Sequence, residues 1–254
     1  MEVFRRIRTP FFDGGIVRRC LSFIKPMGRA VGVTKTFLNT LLTLFVTCEC
    51  LICGRPIEEE LNGELRVCEN CLEEIFRLRS EVPYKLNDTE VFFYGTYEEK
   101  LRELILAYKF RLHPGLSKVL AKLLFETVRG HGIEFDFVTY VPSTKTSKKK
   151  RGFDHMRLVA KELSKLVEKQ VLELLRTIRE TDQLVATNRK EAVRGKYDLK
   201  KREISGISRM LDSKVVLLID DVLTTGSTMN ECLKVLRRNF PRTKFVLMVV
   251  AVKV

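Results

Sequence analysis

The chain has no Gly-x4-Gly-Lys-[Ser/Thr] loop, no repeat at a solenoid period, and no apolar run long enough to span a bilayer. Those absences exclude a Walker-type nucleotide site, a stacked-repeat architecture and a membrane-spanning helix. Histidine is scarce: His113, His131 and His155 show no ligand spacing among themselves, so no histidine-based metal centre is signalled. His155 follows a basic loop and reads as a surface residue at a helix start. No small-x-small cleavage site follows the arginine-rich N-terminus and the apolar run 37–46. The signal-peptide reading therefore yields to an amphipathic helix, with Leu38, Leu41, Leu42 and Phe45 on one face. Residues 1–36 read as a basic tail, within which Met27 is an alternative start.

What is plentiful is positive charge. The sequence has 46 Lys and Arg against 32 Asp and Glu, a formal +14. Such a surplus favours phosphorylated metabolites, nucleic acid or anionic membrane as partners, and also fits a plain basic surface. The 254 residues, 45% hydrophobic, suffice for one core plus a small satellite. Seven cysteines are present, five of them between Cys48 and Cys71.

From residue 91 onward, strand and helix patterns alternate. VFFYGTY, FDFVTYVP, VLELL, VVLLID and KFVLMVVAVKV read as strands. EEKLRELILAYKF, the segment from Leu116, MRLVAKELSKLVEK and MNECLKVLRRNF read as helices. STKTSKKKRGFDH reads as a polar basic loop. The alternation predicts an α/β fold with a mostly parallel sheet, and the uninterrupted apolar run Val215–Ile219 fits a strand covered on both faces.

That run delivers Asp220 and Asp221 to a strand end, followed by Thr224, Thr225, Gly226, Ser227 and Thr228 before a helix. The turn offers backbone N–H groups, hydroxyls and a helix N-terminus, the parts of a phosphate cradle. Carboxylates repel phosphate, but they accept bonds from a ribose diol or hold Mg²⁺ through water. The plainer alternatives are an N-cap at Thr225 or Ser227, ordinary turn aspartates, or the acidic pair of a receiver domain.

VVLLIDDVLTTGST resembles the phosphoribosyl pyrophosphate (PRPP) motif of type I phosphoribosyltransferases. The resemblance implies a 5′-phosphate at Thr224–Thr228 and ribose hydroxyls at Asp220 and Asp221, with Mg²⁺ accompanying the pyrophosphate. Cationic groups are then needed where charge develops on the leaving group. Lys145 and Arg151 in the basic loop are candidates, whereas Lys148–Lys150 read as a solvated charge run. The polar segment 176–194 is long enough for a lid, and Arg176, Thr181, Gln183, Arg189 and Arg194 are its candidates, the alternative being a surface hairpin.

Cys50, Cys53, Cys68 and Cys71 form C-x2-C-x14-C-x2-C, a spacing suited to one tetrahedral Zn²⁺. Four thiolates leave no open position, so the metal would be structural. A redox dithiol or free thiols are the alternatives, and Cys48 is a spare donor. Cys232 reads as a buried helix residue.

A four-cysteine ribbon ahead of a PRPP motif is similar to the ComF family, competence-associated phosphoribosyltransferase-like proteins. The resemblance covers 37–254 through FLNTLLTLFVTCECLICGRPI, VCENCLEEI, FYGTYEEKLRELILAYKFR, VPSTKTSKKKRGFDHMRLVAKEL and VVLLIDDVLTTGSTMNEC. Beyond the tail at 1–36, which it does not cover, it implies a zinc ribbon with leading helix at 37–75, a linker at 76–90 and a phosphoribosyltransferase-like domain at 91–254. It further implies a cytoplasmic protein linked to DNA uptake, with single-stranded DNA and a competence helicase as partners. Enzymatic phosphoribosyl transfer stays open beside a non-catalytic binding role in which PRPP or a nucleotide is only regulatory. The chain departs from the family at Asp154-His155, where Asn-Gln is usual, and at Gly195 and Tyr197, where Asn and Phe are usual.

Overall fold

The structure is a computed structural model; it describes residues 48–57, 65–80, 82–86, 89–111, 113–178, 195–200 and 204–253. The tail, the helix expected at 37–46, and Thr181, Gln183, Arg189 and Arg194 lie outside the described residues. Residues 48–254 form one compact unit.

A six-stranded sheet organises that unit, in the order β3-β4-β10-β9-β5-β6. Its strands are β3 (Tyr84–Leu86), β4 (Thr89–Thr96), β5 (Phe137–Tyr140), β6 (Gln170–Val171), β9 (Val215–Leu223) and β10 (Lys244–Val252). All pairings are parallel except the antiparallel edge strand β3, which lies within the segment read as linker. The expected mostly parallel α/β architecture is thus borne out. Leu217, Leu218, Ile219, Met248, Val249 and Val250 are fully buried, as continuous apolar runs require.

Helices cover both faces. Glu99–Phe110 (α2), Leu116–His131 (α3) and His155–Val167 (α5) pack on one face with Leu217 and Ile219. Glu69–Arg77 (α1) joins the same core through Ile75. Ile204–Leu211 (α6) and Ser227–Asn239 (α7) pack on the other face with Val216 and Leu218. An antiparallel pair, β7 (Leu175–Thr177) and β8 (Tyr197–Leu199), joins this second core. The stretch VLELL therefore splits between two ladders, β6 beside β5 and β7 beside β8.

The basic loop contains a helix, α4 (Lys145–Arg151). Thr144 caps it by accepting from the Ser147 N–H, and Gly152 ends it at φ 78°. Nothing in α4 is buried, so it has no apolar stripe from which periodicity could reveal it. Its cap residues carry the only local signal.

Candidate functional site

The strand order fixes where a crevice opens. The chain leaves β5 toward β6 on one side and leaves β9 toward β10 on the other. Ligands in open α/β sheets bind beyond the carboxyl ends of strands at such a switch point. β5 stops pairing at Tyr140–Ile219 and continues into Val141 and Pro142, while β9 stays paired to β10 as far as Leu223. Asp220 and Asp221 therefore sit inside an extended strand, not in a turn after it. One flank of that strand is uncovered just where the acids begin.

Asp221 is buried, and four segments of chain converge on it. Lys109, from the last turn of α2, donates from Nζ to Asp221 Oδ1 at 2.8 Å. His155, the first residue of α5, places Nε2 2.5 Å from Asp221 Oδ2. Ser143, after β5, places Oγ 2.6 Å from His155 Nδ1 and donates to Asp154 Oδ1 at 3.0 Å. Arg151 Nη1 lies 3.0 Å from His155 Nδ1, and Lys148 pairs with Asp154 Oδ2 at 2.7 Å. The ionised Asp221 carboxylate can only accept, so His155 Nε2 carries a proton and donates it to Asp221. The Tyr108 hydroxyl donates to the His155 carbonyl at 2.6 Å, fixing the start of α5.

Burial pushes the Asp221 carboxyl up. The Lys109 ammonium and then His155 more than reverse this, holding it well below the usual carboxylate range. Burial and the neighbouring Asp221 charge push Asp220 well above that range. The adjacent acids thus differ in electrostatic state. Asp220 Oδ1 accepts the Asp221 backbone N–H at 2.9 Å.

Beyond the acids, Gly226 stands at φ 70° as the N-cap of α7 and has no side chain to cap it, while Thr225 Oγ1 accepts the Ser227 N–H at 3.4 Å. A Cβ on Gly226 would meet Leu86 Cδ1 at 2.3 Å. Both the dihedral and the space therefore require glycine. Thr224 and Thr225 are exposed, and Thr225 Oγ1 lies 2.8 Å from Ser227 Oγ. The arrangement leaves N–H groups and the positive end of a helix dipole beside the crevice.

The other candidates divide. Arg151 is brought to the network, and Lys145 is exposed in the first turn of α4. Lys148, read as solvated, is instead paired with Asp154. Arg176 bonds the Leu199 carbonyl at 2.9 Å and Asp198 at 3.0 Å, clipping β7 to β8. His155, read as a surface residue, is buried because its ring fills the space between β9 and the Ser143 loop. Lys109 escaped the sequence reading altogether. It sits one position after the helical series Leu101, Leu104, Ile105 and Tyr108, and nothing local marks it as a site residue.

The second cluster lies at the start of the described chain. β1 (Cys48–Glu49) and β2 (Pro56–Ile57) pair antiparallel around the Cys50–Cys53 turn, which Gly54 closes at φ 73°. The Sγ atoms of Cys50, Cys53, Cys68 and Cys71 lie within 4.8 Å of one another, Cys53 and Cys68 at 3.6 Å. Zn–S bonds of about 2.3 Å place tetrahedral sulfurs ~3.8 Å apart, so the set fits one zinc ion. Cys50 Sγ also accepts backbone N–H bonds from Ile52 and Cys68, as a thiolate would. Burial raises the Cys53 thiol, but a backbone bond at Arg55 and its thiol neighbours outweigh it, bringing it to about 6. The side chain of Cys48 lies outside the described residues. Cys232 is buried in α7, as expected.

No family model matches the chain. Competence protein F of Haemophilus influenzae is 27% identical over 199 residues, covering 74% of this chain and 78% of that protein. Competence protein ComFC of Streptococcus pneumoniae is 24% identical over 216 residues, covering 74% of this chain and 93% of that protein. The chain is thus similar in sequence to two competence proteins, over about three quarters of its length. Among solved structures, the adenine phosphoribosyltransferase of Leishmania tarentolae aligns with 57% of this chain and 60% of its own, at 17% identity and a TM-score of 0.36. That of Thermoanaerobacter pseudethanolicus aligns with 69% of this chain and 83% of its own, at 14% identity and a TM-score of 0.33. Scores this low leave the chemistry of the site to its own residues.

Proposed function

We propose that this chain binds a ribose 5-phosphate ligand, PRPP with Mg²⁺, in the crevice beyond β5 and β9. A glycine-capped helix N-terminus beside two carboxylates is the observation that carries the reading. Phosphate favours the Thr224–Thr228 turn, hydroxyls favour the acids, and one sugar phosphate satisfies both. Mg²⁺ would be held by the ligand's pyrophosphate and, through water, by Asp220. When bound it supplies positive charge for the leaving group. Arg151 and Lys145 are the protein's own candidates for that task, with Gln183, Arg189 and Arg194 as further ones.

The reaction this supports is phosphoribosyl transfer to an acceptor that no feature of the site names. The four cysteines would carry structural zinc. The role would be cytoplasmic and linked to DNA uptake; no described helix is long and apolar enough to cross a membrane. Isothermal titration with PRPP and Mg²⁺ tests the site. Binding by the native chain that Asp220→Asn/Asp221→Asn abolishes supports it, and equal binding by both proteins refutes it.

The second reading is a binding module contacting single-stranded DNA and a helicase, with PRPP or a nucleotide as regulator only. Lys145, Lys149 and Lys150, exposed on α4, favour it. A salt titration of single-strand binding separates the readings, because phosphate contacts give a steep salt dependence.

A further inference from the structure

Three residues at the end of α2 reach three different parts of the molecule. The buried Tyr108 donates its hydroxyl to the His155 carbonyl at 2.6 Å. Lys109 pairs with Asp221 at 2.8 Å. Arg111, the C-cap, donates from Nη1 to the Leu51 carbonyl at 2.6 Å, across 60 residues of chain. Phe110 is 68% exposed, so the packing of that side chain does little to hold the helix end. Helix termini have carbonyls without intrahelical partners, and they open first. Tyr108 and Arg111 are therefore the two anchors between which Lys109 is held.

The Leu51 carbonyl is itself constrained. It belongs to the same peptide group as the Ile52 N–H, which donates to Cys50 Sγ at 3.4 Å. The N–H and C=O of a trans peptide point in opposite directions. A sulfur that draws the N–H inward thus turns the carbonyl outward, to Arg111. Cys50 Sγ also accepts the Cys68 N–H at 3.3 Å, and the Leu51 N–H donates to the Arg66 carbonyl at 2.8 Å. The gathered cysteines accordingly set the plane of that peptide.

We infer that Arg111 is a positioning residue that relays the state of the cysteine cluster to the crevice. The relay runs from Cys50 Sγ through the Leu51–Ile52 peptide, Arg111 and Lys109 to the Asp221 carboxylate. While the sulfurs stay together, Lys109 stays on Asp221 and offsets one of two adjacent negative charges. Displacing Cys50 from the cluster turns the peptide, deprives Arg111 of its acceptor and loosens the end of α2. Asp221 then keeps His155 alone, and an anion entering the crevice meets more negative charge. The cysteines thus govern anion binding at a distance, besides holding their own segment together.

The test uses the full chain and measures how fast each lysine is acylated by an amine-reactive ester, read by mass spectrometry. Lys109, ion-paired and largely buried, is protected in the native chain. Lys100 and Lys122 are the controls, because each pairs with a glutamate of its own helix. Arg111→Met is expected to raise the Lys109 rate about five-fold, the net worth of one hydrogen bond, with both controls unchanged. Arg111→Lys keeps a cationic donor and should label Lys109 close to the native rate. Cys50→Ala should raise the Lys109 rate in the native chain and add little in Arg111→Met, where the relay is already cut. An Arg111→Met chain that labels Lys109 at the native rate overturns the relay. Multiplying, independent effects of Arg111→Met and Cys50→Ala overturn it equally. A Cys50→Ala chain that also labels the controls faster has unfolded, and the Arg111 variants then decide. Equal Lys109 rates in Arg111→Met and Arg111→Lys would leave no relay. Because the readout is an amine of the protein, the outcome is independent of which ligand the crevice takes.

Discussion

The cysteine centre and the crevice are built by opposite routes. The four sulfurs come from two short turns, Cys50–Cys53 and Cys68–Cys71, and the second leads directly into α1. The crevice draws on residues 109, 143, 151, 154, 155, 220 and 221, which meet only because the sheet places β9 beside β5. A site closed by local turns depends on its donors and little else. A site assembled across a sheet depends on every element that brings a side chain to it, and its members hold one another's charge and direction.

The difference can be broken most forcefully at the cysteine centre. Cys71 is fully buried and belongs to the core as well as the sulfur cluster. Cys71→Ser is expected to abolish stoichiometric zinc by elemental analysis and to lower melting by more than about 10 °C, since structural zinc contributes directly to folding free energy. An unchanged zinc content would mean that the sulfurs are not the ligands.

Next in size is Gly226→Ala. A left-handed dihedral costs a residue with a Cβ about 1–2 kcal/mol, and the new methyl meets Leu86 besides. Melting should fall by several degrees, and PRPP affinity should fall with it. Leu86→Ala should recover the steric part and not the dihedral part, which titration of the double variant would reveal.

A smaller effect separates Asp220 through pH. Its folded carboxyl lies above its unfolded value. The neutral form is therefore the one that favours folding. That contribution is complete below the usual carboxylate pKa of about 4 and is lost as pH rises through the folded value. The advantage in melting of Asp220→Asn over the native chain should be near zero in acid and grow toward neutral pH. Asp221 has the opposite sign, its folded value being depressed, so its contribution is present at neutral pH and lost only in strong acid. A flat pH dependence for Asp220→Asn would mean that neither burial nor the Asp221 charge perturbs Asp220.

The smallest expected effect is on stability at Lys149 and Lys150, which are exposed on α4. Replacing both with Glu should leave melting within about two degrees, as exposed charges do. A large fall would show that α4 is more than a carrier for Lys148 and Arg151.

Legibility in the sequence follows the same divide. The zinc spacing, the parallel α/β alternation and the Thr-Thr-Gly turn are local patterns, readable from neighbouring residues. The roles of Lys109 and His155 are not, because each depends on strand order and on the direction of a helix end. His155 looked like an exposed helix start, since the preceding run of lysines and arginine suggested solvent. Those same cations instead hold Asp154 and the imidazole. α4 went unread because it buries nothing, and the length of β9 because pairing with β10 outlasts the apolar run that announced the strand.

The seam between the cysteine segment and the sheet is a change of chemistry, yet the core runs through it. Cys50, Val67, Cys71 and Ile75 are buried in the same cluster as Leu101, Leu104 and Leu120. The Tyr94 hydroxyl reaches back to the Phe76 carbonyl at 3.0 Å, and the Ser80 N–H to the Tyr94 carbonyl at 2.6 Å. A shortened chain beginning at residue 76 would lose one wall of its interior along with the four clustered cysteines. It would offer the apolar side of α2 to solvent, and so to other molecules of itself. Anyone wishing to study the crevice without the cysteines will need to replace that wall, because cutting it away removes the support on which Lys109 stands.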